Sequence, residues 1–139
     1  MPDPYDLQRF IDAQAPVFDQ VCAELARGRK ASHWMWFVFP QIRGLGHSPM
    51  AERYAISSLA EAHAYLGHPV LGPRLRRCVA LVNAVEGRSI RDILGPPDDL
   101  KFRSCMTLFA HAAADGAVFR AALDRYFAGE EDPATQARL

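Results

Sequence analysis

The chain has no long apolar run. The longest uninterrupted one, Trp34 to Phe39, covers six residues, against the ~18 or more that a membrane-spanning helix needs. It has no excess charge either: sixteen Lys and Arg balance sixteen Asp and Glu, which argues against a polyanion binder working by net charge. Cysteine is sparse. Cys22, Cys78 and Cys105 are odd in number and far apart, a pattern of reduced thiols in a cytoplasm rather than of a disulfide framework. The opening MPDPYD is acidic and carries proline, unlike a signal peptide. Catalytic and metal motifs are missing too: there is no CxxC, no HExxH, no GxSxG elbow and no Walker-type phosphate loop. No metal and no cofactor are expected.

What is present suits one globular domain over residues 1–139. Half of the residues are hydrophobic and 23% are charged, which excludes bulk disorder. A chain of 15.5 kDa exposes roughly 22,000 Å² unfolded and about 7,000 Å² folded, enough burial for a core without staples. No repeat, low-complexity run or linker divides it. An ordered core is expected over about residues 5–129, and the polar stretch 130–139 is expected to fray.

The pattern is helical. Leu7, Phe10, Ile11, Gln14, Phe18, Val21, Cys22 and Leu25 recur at steps of three and four, one face of a helix. Pro16 should kink that helix or split it, with a second helix starting near Pro16, and Gly28 closes it. Ser48-Pro49 reads as an N-cap with proline at the first helical position, opening a helix through about Ser57. Ser58 with Glu61 is a capping-box signature for a short helix ending at Gly67. Leu71, Leu75, Cys78, Val82 and Val85 mark a longer helix closed by Gly87. Ser89 with Asp92 caps a short turn that Gly95-Pro96-Pro97 ends. Asp98 and Asp99 open a helix with Phe102, Cys105, Met106 and Phe109 inward. A last helix carries Val118, Phe119, Ala122, Leu123, Tyr126 and Phe127. The expected architecture is all-α, with about six or seven helices and one irregular aromatic-rich segment.

That segment, His33 to Ser48, is where chemistry is most plausibly placed. Residues 34–39 fit a short buried strand or one helical turn equally well, since Pro40 pushes its predecessor toward extended geometry. Two tryptophans and two phenylalanines can simply be core, because aromatics bury the most area per residue. Alternatively one ring lines a pocket and stacks on a planar ligand. Trp34 and Trp36 point in different directions in an extended segment, so at most one of them need face the pocket. The GLGHSP stretch from Gly44 to Pro49 is a second candidate: Gly44 and Gly46 let backbone amides approach a ligand, and Ser48 marks a helix N-terminus attractive to anions. A plain turn is the competing reading. Arg43 and His47 flank the loop, and Lys30 is near in sequence.

Polar residues on apolar faces are the third clue. Gln14 and Gln41 can satisfy buried backbone groups, or supply amide donors and acceptors to a ligand. On the helix from Asp98, Lys101 and Ser104 share a face with Thr107 beside it, suited either to a solvated flank or to an anionic substrate. Arg103 reads as solvated flank. His33 is the acid/base candidate, since histidine alone changes charge near neutral pH without perturbation. The three cysteines sit on apolar faces, where they act as small hydrophobes.

Four stretches carry a resemblance to a known family: RFIDAQ (Arg9 to Gln14), GRKASHWMWFVFPQIRGLGHS (Gly28 to Ser48), YLGHPVLGPRL (Tyr65 to Leu75) and DDLKFRSCMTLF (Asp98 to Phe109). They resemble the bacterial family called domain of unknown function 1810, over about Tyr5 to Thr135. Gln136 departs from the pattern, where a leucine would follow Thr135. The resemblance implies a compact all-α fold, no established activity and no catalytic residues to carry over. Some members bear the name calpastatin. An inhibitor that wraps a protease as an unfolded segment should be polar and poor in aromatics, and this chain is neither.

Two functions remain open on the sequence. One is a site for a small, anionic, planar compound such as a nucleotide-like metabolite, with or without turnover. It would be built from Lys30, Trp34, Trp36, Gln41, Gly44, Gly46, His47 and Ser48, with Gln14, Lys101 and Ser104 as co-liners. The other is a protein-interaction module without chemistry, which calls for an exposed apolar patch of several hundred Å². The basic residues are too scattered for a nucleic-acid stripe. No membrane association is expected, and the sequence names no protein partner.

Overall fold

The computed structural model describes residues 2–139. Pro16 splits the first apolar stripe into two helices, α1 (Gln8–Gln14) and α2 (Phe18–Ala26). Gly28 ends α2 with a φ of 77°, the left-handed conformation that glycine adopts without a steric cost. The ambiguous aromatic run is one helical turn, α3 (Met35–Val38). Phe39 leaves the helix before Pro40 at φ −124° and ψ 69°, outside the α region that the proline ring disfavours. α4 (Pro49–Arg53) has Ser48 as its N-cap, accepting the Ala51 N–H at 3.1 Å. It stops well short of Ser57. Residues 54–57 leave the helix, and Ile56 forms a parallel bridge with Ile42.

The remaining helices are α5 (Leu59–Gly67), α6 (Leu71–Asn83), α7 (Ile90–Leu94), α8 (Asp98–Ala112), α9 (Ala117–Phe127) and α10 (Pro133–Gln136). The described residues thus hold ten helices in one compact all-α domain, six of them with seven or more residues. The count exceeds the six or seven expected because Pro16 divides the first helix and because α3 and α10, of four residues each, are too short to show a periodic stripe. The chain exposes 7052 Å², close to the about 7,000 Å² its mass implies.

α8 is the centre of the packing. α5, α7, α9 and α10 surround it, and every residue from Ser104 to Ala110 is buried. A helix covered on all sides is a core helix, and here the polar Ser104–Thr107 side is covered by the segment read from its polarity as a frayed tail. That segment, 130–139, holds α10, and its Thr135 is fully buried. Asp132 caps α10 by accepting the Thr135 N–H at 3.2 Å and the Thr135 hydroxyl at 2.6 Å. Arg103, read as solvated, donates to the carbonyls of Glu130 and Glu131 at 3.0 and 2.9 Å.

Entry into the aromatic turn is set by one buried carboxylate. Glu24 of α2 is fully buried and no cation pairs with it among the described residues. It accepts instead from Ala31 N at 2.7 Å, Ser32 N at 3.1 Å, Ser32 Oγ at 2.6 Å, Trp34 Nε1 at 3.0 Å and Gln20 Nε2 at 3.0 Å. Burial alone would raise its pKa. The hydrogen bonds from Ser32, Ala31 and Trp34 outweigh burial and hold it down at about 2, from an ordinary 4.5. A folded pKa below the unfolded one stabilises fully above about 4.5 and is lost as pH falls toward 2. Glu24→Gln presents an amide to donors that need an acceptor, and should cost about 2–3 kcal/mol at neutral pH. In urea unfolding at a series of pH values, the gap between wild type and variant should close as the solution is acidified. A gap independent of pH would contradict this account.

Candidate functional site

The segment from α3 to α4 is held at three points. Gln14 Nε2, in the core, donates to the Phe37 carbonyl at 2.7 Å and lies 3.1 Å from the Tyr65 hydroxyl. Beyond Pro40, the Ile56 N–H donates to the Gln41 carbonyl at 2.9 Å, and the Arg43 N–H to the Ile56 carbonyl at 2.8 Å. Ser48 then caps α4. Between these anchors the chain bows outward and encloses a narrow slot.

Met35, Trp36 and Gln41 from the α3 segment, Gly44 and Gly46 from the following loop, and Lys101 of α8 all line this slot. Its non-atom space amounts to about 350 Å³, most of it too tight for more than one or two waters. A more open hollow of about 580 Å³ on the same measure is lined by Arg43, His47 and Glu52 and shares Gly44 and Gly46 with the slot. Lys101 Nζ is 3.6 Å from Asp98 Oδ1, and its side chain keeps 33% of its exposure.

Five of the residues picked out from sequence therefore meet at one place: Trp36, Gln41, Gly44, Gly46 and Lys101. His47 lies in the adjoining hollow. The others are elsewhere. Trp34 is core, 1% exposed, with its indole N–H on Glu24. In a helical turn, residues two apart point nearly opposite ways, so Trp36 faces the slot while Trp34 turns inward. Lys30 is stacked on the Trp34 ring and paired with Asp98 at 3.1 Å. Gln14 is spent on Phe37 and Tyr65, and Ser104 is buried with its hydroxyl 2.9 Å from Asp132 Oδ2 and 3.2 Å from the Leu100 carbonyl. Ser48 serves its own cap in a helix of five residues, whose dipole is correspondingly small. His33 is exposed and does not line the slot or the hollow.

Both glycines have structural reasons. Gly44 has a φ of 101°, and a methyl group there would lie 2.5 Å from Arg138 Nη1. A methyl on Gly46 would lie 2.7 Å from the Ala51 Cβ. Arg138 is the participant that sequence reasoning missed. It stands 94 positions from Gly44 in a polar stretch, and no local pattern places it there. Among the described residues no group of three or more His, Cys, Asp or Glu is arranged to hold a metal ion, and the three cysteines are buried and unpaired. Burial pushes the Cys105 and Cys78 thiols well above their ordinary pKa, which makes them poor nucleophiles.

An all-α domain with a slot behind a glycine loop defines the structural class. Residues 4–139 match the family described as Protein of unknown function (DUF1810), and the chain belongs to that family. Its structure is similar to the crystal structure of the conserved hypothetical protein Rv1873 from Mycobacterium tuberculosis, at 61% identity and a TM-score of 0.98. That similarity covers 99% of this chain and 98% of the other. Comparison with the curated proteins gives no match. No helix is long and apolar enough to cross a membrane among the described residues.

Gly87 is a useful reference for Gly44, because its φ is 73° and nothing lies within 4 Å of an added methyl. Gly87→Ala should cost about 1 kcal/mol for the backbone alone. Gly44→Ala should cost at least as much, through its φ of 101°, because the exposed Arg138 guanidinium can swing aside from an added methyl. Adding Arg138→Ala should therefore change that cost little, as read from unfolding midpoints; a large recovery would overturn this.

Proposed function

We propose that the slot and the adjoining hollow together bind a small anionic compound with a planar part. The observation that carries this reading is the convergence of Trp36, Gln41 and Lys101 on one slot bordered by Gly44 and Gly46. A half-exposed indole offers a stacking face, an amide offers a donor and an acceptor, and an ammonium offers charge. The slot is too narrow for a whole ring system, so it takes only the edge of the planar part beside Trp36, and the anionic remainder lies over the loop in the hollow. Turnover is not part of the proposal, since His33 lines neither space.

The reading as an interaction module gains less support. The exposed large apolar side chains are Leu59, Leu100 and Leu139, and three partly exposed leucines fall short of a patch of several hundred Å².

Thermal unfolding against nucleotides, ADP-ribose-type compounds, sugar phosphates and simple anions tests the site. A ligand at 100 times its dissociation constant adds about 2.7 kcal/mol, a shift of several degrees for a domain of this size. Lys101→Ala and Gln41→Ala should each weaken binding about tenfold, the loss of roughly one hydrogen bond to charge. His33→Ala should leave it unchanged. Absence of a shift with every compound would remove the site.

A further inference from the structure

The segment after α9 is fixed by buried polar contacts, and its far end reaches the glycine loop. Ser104 Oγ and both donors of Thr135 converge on Asp132 Oδ2, and Asp132 N donates to Thr107 Oγ1 at 2.9 Å. With Arg103 holding the carbonyls of Glu130 and Glu131, α10 has little freedom to move on α8. Two residues past α10, the Arg138 guanidinium lies beside Gly44. A methyl there would meet Nη1 at 2.5 Å, Cζ at 2.7 Å and Nη2 at 3.1 Å. The Arg138 side chain is exposed and makes neither an ion pair nor a hydrogen bond among the described residues. Arg27, Arg29 and Arg91 are likewise exposed without side-chain partners among the described residues; what distinguishes Arg138 is its place beside Gly44.

Gly44 lines both the slot and the hollow, and Arg138, which lines neither, lies beside that shared glycine. Arg43 lines the hollow and its side chain also makes no ion pair or hydrogen bond among the described residues. At the other end, Lys30 and Lys101 share the single carboxylate of Asp98. Set against Asp98 and Glu52, these four cations leave an excess of about two positive charges. A phosphomonoester carries about −1.5 to −2 at neutral pH, whereas a simple carboxylate carries only one negative charge. A guanidinium with all its donors unspent is the group that grips a phosphoryl oxygen pair in two-pronged fashion.

We propose that Arg138 is a specificity-determining residue of this site and selects ligands that carry a phosphoryl group. The assignment rests on reading the slot and hollow as a ligand site. It adds that the phosphoryl group sits by Gly44, between Arg138 and Arg43, while the rest of the ligand reaches Trp36.

Isothermal titration of AMP, adenosine and pyrophosphate into the full chain, with amide shifts of Gly44 and Gly46 followed by NMR, tests both steps separately. Wild type should bind AMP at least about tenfold more tightly than adenosine, and should bind pyrophosphate with shifts at the two glycines. Arg138→Gln should remove most of the preference for AMP and leave the adenosine affinity unchanged. Arg138→Lys should restore only part of it, since an ammonium lacks the planar fork. Arg29→Gln, at an exposed arginine outside the slot and the hollow, controls for net charge and should change nothing. If wild type binds AMP and adenosine equally, the site stands and phosphoryl selection falls. If the preference survives Arg138→Gln, Arg138 is only packing on the loop. If none of the three compounds binds wild type, the site and its selectivity fall together.

Discussion

A carboxylate buried without a cation needs several donors, and meeting that need at Glu24 governs the shape of the chain around the candidate site. Its oxygens gather two backbone amides, one hydroxyl and the Trp34 indole N–H from a span of four residues. No regular helix or strand presents that set of donors on one side. The chain from Ala31 to Trp34 therefore stays irregular and curls around the carboxylate. α3 starts immediately afterwards, with Trp34 already committed inward. The opposite orientation of Trp36 follows from that commitment, since the helical turn carries it round to the slot side.

The same device recurs at the two other edges of the site. Arg9 of α1 donates to the carbonyls of Arg53 and Ala55, each at 3.0 Å, and to Glu61 at 2.9 Å. Glu61 in turn accepts the Ser57 N–H at 3.1 Å and the Ser57 hydroxyl at 2.7 Å. Together they hold residues 53–57 straight enough for Ile56 to pair with the strand-like stretch at Gln41 to Arg43. Asp132 does the equivalent for the segment that ends at Arg138. Glu24, Glu61 and Asp132 are thus partnered by irregular backbone and by the short polar side chains around them. The helices supply the apolar core, and three acidic side chains on or beside them decide where the loops run.

This division explains what could be read from the sequence. α5, α6, α8 and α9 have apolar stripes or caps that survive in the structure, because a helix face is a local pattern. Pro16 and Gly28 act locally too, and both were legible. α3 and α10 were not, since four residues carry no period and the α10 docking depends on Ser104 and Thr107 from a helix 28 residues away. Glu24 was hidden for a different reason. A glutamate in a helix reads as solvent-facing unless its donors are known, and those donors belong to a loop whose path the glutamate itself creates. Within the site, residue type was informative but not sufficient. Trp34 and Trp36, or Lys30 and Lys101, are equivalent by composition and near in sequence or role, yet only one of each pair reaches the slot.

What separates them is whether the fold has already used them. Trp34 donates to Glu24, Lys30 is stacked and paired, Gln14 bridges Phe37 and Tyr65, and Ser104 helps to hold Asp132. Each is a polar group whose hydrogen-bonding capacity has been met inside the protein, and a met group has little left to offer a ligand. Trp36, Gln41, Arg43 and Arg138 show no such side-chain bond among the described residues, and Lys101 has only a long, half-exposed contact with Asp98. Those five surround one glycine loop. Trp36, Gln41 and Lys101 are half-buried there, each forgoing part of its hydration, while Arg43 and Arg138 stand exposed beside them. Their concentration at the loop, rather than the presence of any single residue, is the physical reason to look for a ligand there.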